Sequence, residues 1–236
     1  MLGATRSGEE PWQQLASTLG ADRLLRLRQV HRAGVVQAGA TLPPEPPEGD
    51  IVLAGCDGPA IAVQGADCVP LLVADTRRGG VAAAHAGWRG LVQGVPRETV
   101  EAMERAFGSK PEDLIAAIGP SIGACCYEVG PDVRAAFAEA GFPEQQLAAW
   151  FHAAPQPTPR NRSLAGLPPA TRAGHAYFDG WSSAIAQLEA SGVRRSSIFC
   201  AGLCTASHPE WLCSYRRDQS YAGRIAGAIV PRASVR

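Results

Sequence analysis

Apolar residues along this chain fall into two kinds of pattern. Short runs have the length and composition of strands: DIVLAG from Asp50, AIAVQGADC from Ala60, PLLVAD from Pro70, VAAAHAG from Val81 and DLIAAIG from Asp113. Longer segments carry helical spacing and helix punctuation. They are PWQQLASTLG, closed by Gly20; PRETVEAMERAFG, with Pro96 in its first turn and Gly108 after its last; GPDVRAAFAEAG from Gly130; and YFDGWSSAIAQLEASGV from Tyr177. LLRLRQVHRAGVVQAG alternates enough to predict a strand with His31 in its middle. PPEPPEG, from Pro43 to Gly49, is a loop by composition, and the proline-rich stretch 141–176 predicts a long surface loop or lid. SSIFCAGLCTAS reads as strand and loop, and SYRRDQSYAGRIAGAIV completes the pattern. Because several strands follow one another without a helix between them, the class is α+β (mixed α/β), a single domain over 1–236.

Bulk composition narrows the partners. The 236 residues carry 22 basic and 22 acidic side chains, which gives no electrostatic case for nucleic acid or an anionic membrane. Lys110 is the one lysine; the abundance of arginine accompanies that of alanine, glycine and proline and reads as compositional bias. No segment is apolar for long enough to span a bilayer, and the start has no apolar run of the secretory kind. The expectation is a cytoplasmic protein with reduced thiols, which suits an odd count of seven cysteines. The NRS at Asn161 then has no meaning as a glycosylation signal. No glycine-rich dinucleotide or P-loop signature appears.

The strongest chemical signal lies in GADCVPLLVADTRRGGVAAAHAGWRG, Gly65 to Gly90, which reads as a hairpin. Facing residues of an antiparallel pair keep a constant index sum. A turn centred on Thr76–Arg77 puts Cys68 opposite His85; a turn centred one residue later offsets them by two. In both cases the two side chains share the end away from the turn, among small residues that leave room for a ligand. With His31 as third member, the set is two imidazoles and a thiolate, the donor number of a catalytic zinc site with one position open. The same Cys68 and His85 also fit a nucleophile and its base.

These residues resemble a known family. RQVHRAGVV, GADCVPLLVAD, VAAAHAGWRG, AAIGPSIGACCYEVG, the Cys204–Thr205 pair and SYRRD match, in order, the blocks of the laccase-domain family, from about Gln29 onward. Its members were first described as polyphenol oxidases and later as zinc-dependent purine nucleoside phosphorylases. The resemblance implies metal ligation by His31, Cys68 and His85, with zinc as the ion and copper as the alternative. It implies a layered α/β/β/α arrangement of mixed sheets, similar in outline to the deamidase domain of cytotoxic necrotising toxins. It implies purine nucleoside and phosphate as partners, with phosphorolysis of adenosine, inosine and methylthioadenosine, deamination of adenosine, and in one bacterial branch editing of peptidoglycan precursors. Relatives usually carry a strand with an arginine ahead of the segment matching Ser7–Pro11. The chain starts close to that segment, without the strand and its arginine, and this departure bears on phosphorolysis. Arg32, Gly65 and the Leu212–Cys213 pair also depart from the family pattern, and none is a proposed ligand.

Around the triplet, Asp67 is the candidate to orient a ligand or take a proton, against a local turn role. Cys68 is the candidate nucleophile where no metal is used. Arg89 and Arg216 are the candidate substrate-binding cations, while Arg217 reads as structural. Cys125 and Cys126 read as pocket wall or tight-turn packing, and Cys200 and Cys204 lack a second pair for a structural zinc. His152, His175 and His208 read as surface residues. The rival functions are a copper polyphenol oxidase, a metal-free cysteine hydrolase and a non-catalytic metal-binding module.

Overall fold

A computed structural model describes residues 10–164 and 172–232 of the chain. Helix α1 (Glu10–Thr18) leads into β1 (Leu24–Arg26), β2 (Val35–Gln37), β3 (Ile51–Ala54), β4 (Ala60–Gly65), β5 (Val69–Asp75) and β6 (Val81–Ala86). Helices α2 (Trp88–Val92) and α3 (Val95–Phe107) follow, then β7 (Leu114–Ile118), β8 (Glu128–Val129), α4 (Pro131–Glu139) and α5 (Glu144–Trp150). The described chain closes with β9 (Phe151–His152), β10 (Ala176–Phe178), α6 (Gly180–Ala190), β11 (Ile198–Cys200), α7 (Tyr215–Asp218) and β12 (Ile225–Ile229).

The expected α+β class with mixed sheets is what the chain adopts. Six strands form the main sheet in the order β11-β7-β5-β6-β3-β2; its β11–β7 and β3–β2 pairs are parallel and the rest antiparallel. A second sheet, β1-β4-β12, joins strands from distant parts of the chain, and β8-β10-β9 is a small third one.

Alternation within the central strands explains the layering. Ile51 and Leu53 of β3, Leu71 and Val73 of β5 and Ala82 and Ala84 of β6 face one way and pack with Leu91, Val100, Met103 and Leu188 of the helices. Val52 and Ala54 of β3 and Val81 and Ala83 of β6 face the other way, against Leu25, Ile61 and Val63 of the second sheet. Strands covered on both faces read as continuous apolar runs, which is why DIVLAG and VAAAHAG lack polar alternation. The alanines of β6 let the layers approach, while α3 ends at Gly108 with the left-handed φ of +66° that a helix terminus of this kind requires.

Two expectations need correction, and one open alternative is resolved. LLRLRQVHRAGVVQAG is two short strands, β1 and β2, and His31 sits in the loop between them with a left-handed φ of 59°. A backbone turned this way cannot continue a strand. The stretch 141–176 is not one loop: α5, β9 and the start of β10 lie in it, anchored by Leu147 and Trp150, which are buried against Phe137 and its neighbours. Residues 165–171 of that stretch, and residues 7–9 of the segment Ser7–Pro11, fall outside the described residues. The hairpin register is the second of the two weighed: Val69 pairs with Ala86 and Pro70 with His85. His85 is therefore two residues out of register with Cys68, whose extended partner is Gly87.

Candidate metal centre

Three separate pieces of backbone deliver the three candidate ligands. His31 comes from the β1–β2 loop, Cys68 from the bend between β4 and β5, and His85 from the buried strand β6. A ligand atom of each lies within 4.8 Å of the others, close enough for one ion to bridge all three. The two imidazole rings meet edge to face with centroids 4.8 Å apart. His85 is buried, Cys68 half-buried and His31 exposed, so the cluster opens to solvent on the His31 side.

The two-residue offset is useful to the geometry. Opposite Cys68 stands Gly87, and a Cβ there would lie 2.8 Å from the Cys68 sulfur and 3.5 Å from His31 Cδ2. Only a residue without a side chain leaves Cys68 and His31 room to converge. His31 and Asp67 are two of the three described non-glycine residues with positive φ, 59° and 88°. Such conformations cost of order 1–3 kcal/mol each and persist where surrounding bonds enforce them.

Asp50 enforces the first. It lies just ahead of β3 and directly across the ladder from His85, whose backbone N–H donates to the Asp50 carbonyl at 2.8 Å. Its fully buried carboxylate accepts from the backbone N–H groups of Val30 (3.1 Å), His31 (3.0 Å) and Arg32 (2.8 Å). It also accepts from His85 Nδ1 at 2.8 Å. One side chain thus fixes the loop that carries one candidate ligand and the tautomer of another, leaving His85 Nε2 free to face an ion. Burial alone would raise the Asp50 carboxyl, but the His85 bond and the backbone N–H groups overcome it and hold the pKa below the usual value. The pattern of the sequence does not reveal Asp50. Its role depends on strand register, and an aspartate at the mouth of an apolar run is equally a turn residue.

Asp67 is held by bonds that are long-range, not local as a turn role would have them. Its Oδ1 accepts from the Thr205 hydroxyl at 2.5 Å and its Oδ2 from the Arg216 backbone N–H at 2.6 Å. The neighbouring Cys68 is thereby clamped from the far end of the chain. Arg216 itself is anchored: its guanidinium donates to the carbonyls of Glu128 (2.8 Å) and Cys126 (3.4 Å) and lies over the Tyr127 ring. Arg217 is structural, donating to Thr205, Ala206 and Leu212 carbonyls and pairing with Asp218. Arg89 is exposed on α2 and stacks on Trp88, with its guanidinium 4.3 Å from the ring centre. Burial first, and then the charges of Cys68 and Asp67, push the Tyr127 hydroxyl well above its usual range, while Arg216 and Arg89 act in the opposite sense.

The ligands influence one another. Burial opposes ionisation of Cys68, but hydrogen bonds from His31 and His85 outweigh it and lower the thiol to about 7. Burial likewise opposes charge on His85, but Asp50 and then Cys68 raise it to about 9. Two imidazoles and a readily ionised thiol fit zinc or copper equally well.

The remaining histidines are more engaged than surface residues. His175 Nδ1 lies 2.8 Å from Glu128, His208 Nδ1 lies 2.7 Å from the Cys204 carbonyl, and His152 is half-buried in β9. Cys204 does not pair with Cys200; it meets Cys125 and Cys126 instead.

Known proteins resemble this chain over most of its length. The family described as multi-copper polyphenol oxidoreductase laccase matches residues 5–232. A protein of Deinococcus radiodurans named purine nucleoside phosphorylase is 37% identical over 93% of this chain and 76% of its own length. One of Bacteroides thetaiotaomicron with the same name is 35% identical over 73% of this chain, which spans 57% of that protein. The crystal structure of the Bacillus licheniformis hypothetical protein YfiH superposes with a TM-score of 0.80 at 24% identity, covering 94% of this chain and 80% of that one, and shares the fold.

Proposed function

Since the chain belongs to the multi-copper polyphenol oxidoreductase laccase family, in which relatives are named purine nucleoside phosphorylases, we propose that it is a zinc-dependent purine nucleoside phosphorylase. Its substrates are adenosine, inosine or methylthioadenosine with phosphate, and it also deaminates adenosine. The observation that carries this reading is the convergence of His31, Cys68 and His85, with Asp50 behind His85 and one side open. A bound zinc ion supplies Lewis-acid polarisation at that open side. A multicopper centre needs more imidazoles than the five histidines of this chain, so copper chemistry is confined to one ion in the same three-ligand site.

In phosphorolysis a phosphate oxygen bonds to C1′ of the ribose while the bond from C1′ to the purine breaks, and the purine leaves with a proton. The residues must therefore place the anion and the departing base on opposite sides of C1′. We assign the phosphate to Arg89, which is exposed and held by stacking, and to the positive field of Arg216. Asp67 is a positioning residue, since both its oxygens are engaged in fixing the bend that presents Cys68.

A second reading rests on a different observation. Without metal, a thiol at about 7 beside an imidazole at about 9, backed by a buried carboxylate, is a thiolate–imidazolium pair at neutral pH. That arrangement serves an amide hydrolase with Cys68 as nucleophile, including one that edits peptidoglycan precursors.

Parallel assays separate them: adenosine with phosphate, and an amino-acid amide substrate, each given to metal-loaded and to chelator-stripped protein, with products read by chromatography. Adenine or inosine from the loaded protein alone, lost in Cys68→Ser, is the expected result. No nucleoside product from protein shown to hold zinc would sink the phosphorylase reading. Amide cleavage that survives the chelator and stops on alkylation of Cys68 would establish the hydrolase.

A further inference from the structure

A second convergence of metal-binding side chains lies outside the site described above. Cys125 and Cys126 sit in the tight turn after β7, and Cys204 sits in the segment after β11. The three sulfurs lie within 4.8 Å of one another, and the residues are 2%, 3% and 0% exposed. The Ser207 hydroxyl is 3.6 Å from the Cys125 sulfur and 4.0 Å from that of Cys126. Packing alone does not ask for this. A buried cysteine that merely fills space has no reason to aim its sulfur at two others from distant segments.

The surroundings hold the arrangement in place. The Asn161 side chain accepts from the Cys204 backbone N–H and donates to the Gly202 carbonyl. The Ser163 hydroxyl donates to the Cys125 carbonyl at 2.6 Å, and Ser121 bridges to Cys204. Ile122 and Ala206 close the cluster, with Trp181 against it.

We propose that Cys125, Cys126 and Cys204 form a second, buried metal site that takes a thiophilic d10 ion, zinc or copper(I), and ties the two loops together. Three soft donors in a dry pocket select this class over calcium or magnesium. Binding displaces the thiol protons, and the ion makes the buried thiolates tolerable to the fold. The site also bears on the first. The Cys126 carbonyl accepts from Arg216, whose backbone N–H fixes Asp67 beside Cys68.

The test is metal stoichiometry on the full chain, purified anaerobically and reloaded in separate experiments with zinc and with copper(I), each followed by elemental analysis. The unsubstituted chain is expected to hold two ions, and a Cys68→Ser/His85→Ala chain to keep one. X-ray absorption on that doubly substituted chain should show a shell of sulfur at about 2.3 Å if the ion is zinc. Which ion survives washing with a weak chelator names the metal. Cobalt substitution of the unsubstituted chain needs no mutation. Its thiolate charge-transfer band should have about four times the intensity expected for Cys68 alone. Cys204→Ser should remove one ion and leave the other. A doubly substituted chain that holds no ion under either metal, a cobalt band of single-thiolate intensity, or a disulfide among the three cysteines in anaerobic protein would each overturn the proposal.

Discussion

At the scale of single residues, Asp50 and Gly87 shape the proposed metal centre without being candidate ligands. Asp50→Asn keeps the shape but removes the charge that orders three backbone N–H groups and the His85 ring. Losing a partner of this kind lowers metal affinity by about 10–100-fold, and a competition titration against a chromophoric chelator should read that loss. Gly87→Ala puts a methyl group 2.8 Å from the Cys68 sulfur, so the thiol or the strand end must shift. Zinc affinity is expected to fall while far-ultraviolet dichroism stays unchanged; unaltered affinity would show that the strand gives way instead. Both residues also mark the limit of what the chain discloses when read alone. The convergence of His31, Cys68 and His85 was legible from residue type taken together with the family resemblance. Asp50 was not, because its meaning comes from the residue across the ladder. The cysteine cluster was hidden for a similar reason, with Cys204 far along the chain from Cys125 and no spacing motif to join them.

At the scale of elements, apolar runs and helix punctuation located the hairpin, α3 and α6 well, since each is long enough for its pattern to repeat. The hairpin register had two solutions, and the turn resolves them: Asp75 Oδ1 accepts from the N–H groups of Arg77 and Arg78, which centres the turn one residue beyond Thr76–Arg77. Strands of two or three residues, such as β1, β2 and β9, carry no period and take their form from their neighbours. Helix α5 was masked by the prolines around it. The bend that bears Cys68 depends on elements near the other end of the described chain. Thr205→Val deletes the hydroxyl that bonds Asp67 and leaves a carboxylate oxygen without its donor. Hydrogen bonds to charged groups contribute about 1.5–3 kcal/mol, so chemical denaturation should show a loss of that order. Activity should fall further than the lost stability explains, because the bend no longer holds Cys68 in place.

At the scale of the whole molecule, charge on the ligands sets when metal enters. Zinc binds the thiolate and the neutral imidazole, so each proton they carry must leave. With Cys68 at about 7 and His85 at about 9, the pair should release about two protons near pH 6, about one near pH 8 and almost none above pH 10. Affinity therefore rises with pH over this range. Calorimetric titrations in buffers of different ionisation enthalpy measure the count directly. A release independent of pH would mean that the two groups do not titrate as a pair in the metal-free protein.

The clamp on Asp67 also has a consequence in time. All three ligands lie within the first 85 residues, whereas Thr205 and Arg216, which lock the bend, come more than a hundred residues later. At roughly 5–20 residues per second, a ribosome takes about 6–24 s to cover that interval. Throughout it Asp50 can already orient the two imidazoles, whereas the bend that presents Cys68 still lacks its clamp. The thiol is thus the last member of the proposed site to be set in place, after Thr205 and Arg216 have docked.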